Sequence, residues 1–84
     1  GQFTKATIYP NPTGNGKVNV IFDESNITRD ITVTDMSART VKVMKGLTSN
    51  NVVIDNLNPG MYSIRIVAVA TGDQIVEKIV VNKR

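Results

Sequence analysis

The chain contains no cysteine, no histidine and no tryptophan among its 84 residues. Without cysteine there is no disulfide, thiol nucleophile or thiolate ligand. Without histidine there is no imidazole base for a serine triad and no zinc site of the usual ligand types. The missing cysteines do not fix a redox compartment; they show only that the fold needs no oxidising one. Aromatic residues are scarce, namely Phe3, Tyr9, Phe22 and Tyr62. That argues against a stacking platform for single-stranded nucleic acid and against a flat sugar-binding face. Long apolar runs are also missing. The longest, Ile66 to Ala70, is far below the ~18–20 residues of a membrane-spanning helix.

Charge is balanced. The net value is +3, and the cations are scattered along the chain from Lys5 to Arg84 rather than clustered, which disfavours a nucleic-acid surface. Seven carboxylates are present (Asp23, Glu24, Asp30, Asp35, Asp55, Asp73 and Glu77). None lies in a D-x-D-x-D-G calcium loop, and turn aspartates commonly cap their own turns. A chain of this length leaves little room for a catalytic cleft. These residues predict no enzyme, no metal and no cofactor.

Hydrophobic residues make up 40% of the chain and charged residues 20%, which suits one small globular domain over residues 1–84. Period-two alternation dominates. Val18, Val20 and Phe22 alternate with Lys17 and Asn19, Ile31 and Val33 with Thr32 and Thr34, Val41 and Val43 with Lys42, and Tyr62, Ile64 and Ile66 with Ser63 and Arg65. This is the half-buried strand pattern of an antiparallel sheet, and most of its apolar members are β-branched. Turn signals recur every 8–12 residues or so, the spacing of a sandwich. They fall at Asn11 to Gly16, Asp23 to Asn26, Asp35 to Ala38, Ser49 to Asn51, Asn58 to Gly60 and Thr71 to Asp73, with a weaker one at Gly46. The expected fold is all-β: a small antiparallel β-sandwich of about seven strands, immunoglobulin- or fibronectin-III-like. Its expected core is Val18, Val20, Phe22, Ile31, Val33, Val41, Val43, Ile54, Leu57, Tyr62, Ile64, Ile66, Ile79 and Val81.

Three segments carry the most local information. In Tyr9-Pro10-Asn11-Pro12-Thr13-Gly14-Asn15-Gly16 two prolines fix φ near roughly −65° and Asn11 is expected to close an Asx-type turn. Gly14-Asn15-Gly16 lacks the third glycine and following helix of a dinucleotide loop, so it reads as a turn. In Leu57-Asn58-Pro59-Gly60-Met61-Tyr62, Pro59-Gly60 suits the centre of a type II turn, after which Tyr62 enters the core with its hydroxyl near the rim. Asn26-Ile27-Thr28 matches a glycosylation sequon, a pattern common by chance.

Taken in order, the Tyr9-Pro10-Asn11-Pro12 turn with Gly14, the Leu57-x-x-Gly60-x-Tyr62 strand, Gly72, and the closing Lys78-Ile79-Val80-Val81 strand resemble the type A C-terminal sorting domain of type IX secretion cargo proteins. The resemblance spans Ile8 to Lys83. At Ala38 that family usually has glycine, so the hairpin after Asp35 is expected to use a different turn. The resemblance implies a targeting module, fused behind an N-terminal cargo domain, that passes through the periplasm to a secreted or cell-surface destination. Its implied partners are the outer-membrane translocon, a shuttle, and a sortase-like protease that removes the domain. Consistent with that, the chain opens Gly1-Gln2 without methionine or a basic-then-apolar leader and reads as a module of a longer protein.

The residues themselves suggest where a partner would bind. Strand Lys78 to Arg84 ends the chain and is expected at a sheet edge, where unpaired backbone groups accept an added strand. Ile79 and Val81 would anchor such a contact and Lys83 and Arg84 would steer it to an acidic surface, with Lys78 and Val80 in the same candidate strand; the equal alternative is that Ile79 and Val81 are core and the basic end is solvated. The alternative is a fibronectin-III-like accessory or carbohydrate-binding module.

Overall fold

The computed structural model describes Lys5 to Lys83. Seven strands follow one another: β1 (Ala6–Tyr9), β2 (Val18–Phe22), β3 (Arg29–Asp35), β4 (Thr40–Leu47), β5 (Asn51–Ile54), β6 (Gly60–Ala68) and β7 (Gln74–Val81). No helix occurs among the described residues. The strands form two antiparallel sheets, one ordered β1-β2-β5 and the other β4-β3-β6-β7. Their inner faces pack together, with Val18, Val20, Ile31, Val33, Ile54, Ile64, Ile66 and Ile79 fully inaccessible. Alternation along β2, β3, β5 and β6, and at the end of β7, places these β-branched side chains on the inner faces, as the sequence pattern requires.

Strand β4 breaks that expectation. Val41 and Val43 are 45% and 51% exposed, and Lys42 and Met44 take the inner face instead. The cause lies in the preceding hairpin. Ala38 adopts φ 64°, a left-handed conformation that glycine takes at lower cost than alanine. Ala38 N–H donates to Asp35 O at 3.0 Å, and Asp35 N–H donates to Arg39 O at 2.9 Å. The Asp35 carboxylate accepts from the amides of Ser37 (2.9 Å) and Arg39 (3.0 Å). This three-residue loop sets the pairing, and an irregularity between Val33 and Thr34 adds one residue to β4. A shift of one residue moves every side chain to the opposite face. Lys42 then lies along the sandwich flank and its Nζ reaches Asp55 O at 2.9 Å. Gly46 is not a turn; it has φ 66° within a second irregularity of β4, and its N–H donates to Asp30 Oδ1 at 2.9 Å.

Arg29, one of the cations scattered along the sequence, is enclosed by the fold. It is 1% exposed, with its guanidinium 4.0 Å from the centre of the Phe22 ring. Its terminal nitrogens donate to Glu24 O (3.2 Å) and Ile27 O (3.5 Å), while Nε has no partner among the described residues. Burial lowers its pKa from the ordinary value, opposed by the nearby Glu24 charge. The arrangement closes one end of the core with a cation over an aromatic face and clasps the β2–β3 loop.

Candidate interaction site at the terminal strand

Strand β1 pairs with β2, and the chain then crosses to the other sheet through the Pro-Asn-Pro segment. Both Tyr9-Pro10 and Asn11-Pro12 are cis. Beyond the crossing, Thr13 forms a parallel bridge with Val81. Thr13 N–H donates to Val80 O and Asn82 N–H to Thr13 O, each at 2.9 Å. Asn11 does not close a local Asx turn. Its Nδ2 donates to Lys78 O at 2.9 Å, and its Oδ1 accepts from Val80 N–H at 3.0 Å. A side-chain amide thus imitates one residue of a neighbouring strand, since it offers a donor and an acceptor with peptide-like spacing.

The outer edge of β7 from Lys78 to Asn82 is therefore already occupied. Ile79 and Val81 are core residues at 0% and 3% exposure, and Val80 is half-buried. Lys78 and Lys83 are exposed. Arg84 lies outside the described residues.

The motif residues fall into distinct roles. Tyr62 is buried at the start of β6, and its hydroxyl donates to Asn58 O at 2.6 Å, anchoring the β5–β6 connection. Gly60 opens β6 with φ 149°, which differs from the roughly +80° required of a type II turn. Leu57 is 4% exposed and its N–H donates to Gly16 O at 3.1 Å. Gly72 has φ 79° and donates to Ala68 O at 2.8 Å, closing the β6–β7 hairpin. Gly14 has open space around it and no positive φ, whereas Gly16 has φ 73° and a Cβ there would strike Leu57 O. Sequence reading missed Gly16 and Thr13. Thr13 is fully buried and its hydroxyl donates to Lys17 O at 2.8 Å. Neither carries a signal beyond ordinary turn composition, because their constraint comes from β7 and Leu57.

No group of three or more metal-ligating acidic side chains occurs among the described residues. Asp35 is engaged by its own turn, and its carboxyl is held below the ordinary range, chiefly by the Arg39 amide, with desolvation opposing and the Ser37 amide and the Arg39 guanidinium adding to the lowering. Tyr9, 49% exposed, is the only exposed aromatic among the described residues.

A family profile described as the secretion system C-terminal sorting domain matches residues 7–82. The chain belongs to this family. As a sorting domain it is an export signal of the type IX system, and the protein that carries it is secreted or surface-located. No match is found among curated proteins. Two solved structures share the architecture. One is PorZ, a surface component of the type IX secretion system of Porphyromonas gingivalis, with TM-score 0.75 and 14% identity over 93% of this chain. The sorting domain spans only 11% of that structure's length. The other is a protein of the DUF3244 family from Bacteroides vulgatus with an immunoglobulin-like β-sandwich fold. It gives TM-score 0.74 and 15% identity over 95% of this chain and 89% of its own. At these identities the likeness shows the fold, an immunoglobulin-like β-sandwich.

Proposed function

We propose that this domain is a non-catalytic address. It follows a cargo domain through the periplasm, is read by the type IX machinery at the outer membrane, and is then removed by a sortase-like protease. The observation that carries this reading is the family match over residues 7–82, nearly the whole chain. The turn-bound Asp35 and the flank pairing of Asp55 with Lys42 support a structural use of the carboxylates.

Recognition is assigned to the β7 end of the sandwich. Lys78 and Lys83 offer exposed positive charge there, and the side chains of Ile79 and Val81 hold the strand to the core. A long-range cationic surface of this kind speeds encounter with an acidic receptor more than it tightens the final complex.

The test is a reporter bearing an inner-membrane export signal and this domain at its C-terminus, expressed in a bacterium with a functional type IX system. The reporter is expected at the cell surface or in the medium. Retention of the intact fusion in the periplasm overturns the sorting role. Lys83→Glu with Arg84→Glu is expected to alter stability by less than about 0.5 kcal/mol, so export lost in that folded variant places the charge reading at the terminus.

A further inference from the structure

Among the described residues, nothing pairs with the other half of the β7 edge. In an antiparallel ladder, successive residues direct their backbone groups alternately toward and away from the partner strand. Val80 N–H and C=O and Lys78 C=O point away from β6, because Asn11 and Thr13 take them. By the same alternation Gln74 and Val76 also point outward, and no described residue pairs with them. The Asn11–Thr13 cap stops at Lys78, leaving the outward amide and carbonyl groups of Gln74 and Val76 beyond it.

Beside this open edge runs a groove of about 290 Å³ between β1 and β7, lined by Lys5, Ala6, Thr7, Asp23, Ile75 and Glu77. Ile75 is half-buried and packs against the core from its inner position. Glu77 holds an inner register position opposite the buried Ile64, yet is exposed. Neither Asp23 nor Glu77 has an ion-pair partner among the described residues; the two pairs formed are Arg39–Asp35 and Lys42–Asp55. Lys5 shares the groove, which leaves one excess negative charge in a chain of net charge +3.

We propose that Gln74 to Glu77 form a docking edge for an extended segment of a partner polypeptide. The unpaired backbone groups repeat at the spacing of a strand, which another extended backbone matches and a helix does not. In the antiparallel arrangement the segment reads basic, aliphatic, aliphatic. The basic side chain lies beside Glu77 and Asp23, the first aliphatic one opposite Val76 on the outer face, and the second over Ile75 in the groove. The cap at Asn11 to Thr13 fixes where such a segment stops. This site differs from the basic terminus assigned above, so the two stand or fall separately.

The test titrates the full 84-residue chain with the acetylated, amidated peptide Thr-Lys-Val-Ile-Thr, followed by amide chemical shifts and hydrogen exchange. Shifts are expected at Lys5 to Thr7, Asp23 and Gln74 to Lys78, with the Val76 amide gaining protection. A peptide with Glu in place of Lys is expected to bind about threefold more weakly, and Glu77→Lys to invert that preference. Val76→Pro removes an outward donor while sparing the β6 ladder, and is expected to abolish binding. Shifts confined to β4 or β5, wild-type binding by Val76→Pro, or concentration-dependent protection of Val76 without peptide (a second copy as the occupant) each overturn the proposal. Should Val76→Pro not fold, the charge-swapped pair decides: restored binding supports the site, and its absence overturns it.

Discussion

Asn11 and Val80, 69 residues apart in sequence, are joined by a hydrogen bond of 3.0 Å from the Val80 amide to the Asn11 side-chain oxygen. The same side chain donates to Lys78 O. Together with the Thr13 backbone, this amide group seals the C-terminal half of an edge strand that would otherwise be free to pair with other chains. Asn11→Ala is expected to destabilise the domain by about 1–2 kcal/mol in urea unfolding. Asn11→Asp keeps the acceptor and loses the donor, and should lie between. In the alanine variant the Val80 amide should lose hydrogen-exchange protection while the Ile64 amide keeps it. Unchanged Val80 exchange would refute the capping role.

Gly16 and Gly14 separate a required glycine from an incidental one. Gly16→Ala meets Leu57 O and holds a positive φ, so a loss of at least about 2 kcal/mol is expected. Gly14→Ala should stay within about 0.5 kcal/mol of the parent. Equal midpoints for the two variants in denaturant would contradict the close approach of the Gly16 loop to Leu57.

Ala38 holds φ 64° with a side chain that disfavours it. Ala38→Gly removes that strain at a smaller cost in unfolded-chain entropy, for an expected gain of about 0.5–1 kcal/mol. Thermal unfolding measures it. A lower melting temperature for the glycine variant would show that the turn does not strain alanine.

Asp35 links the same hairpin to pH. Its folded carboxyl has a lowered pKa, so the unfolded chain binds its proton more readily. The stabilisation is present above the unfolded value of about 3.9 and is lost as pH falls through the folded one. Asp35→Asn should therefore differ most from the parent near neutral pH, with the gap narrowing in acid. Urea midpoints at pH 7 and below pH 3 test this, and a gap that widens in acid would reverse the assignment.

The strand pattern was legible because β2, β3 and β6 are each covered on one face, so local alternation reports burial directly. Twelve of the fourteen expected core residues are buried, and the exceptions, Val41 and Val43, share one strand. Their alternation shows that a strand is present but carries no sign for which face is inward. The sign came from the Asp35–Arg39 loop and the extra β4 residue, and from the reach of Lys42 to Asp55 across the sheets. The terminal strand shows the same division. Its existence, its apolar pair Ile79 and Val81 and its basic end follow from composition and order. Which of its backbone groups remain open depends on Asn11 and Thr13 arriving from the far end of the chain. Local sequence determined the strands, the places of most turns and the family, because each depends on neighbouring residues or on an ordered set of motifs. Tertiary structure alone decided strand phase, the need for Gly16 and the half-closed β7 edge, because each is a contact between segments whose relative placement no local pattern encodes.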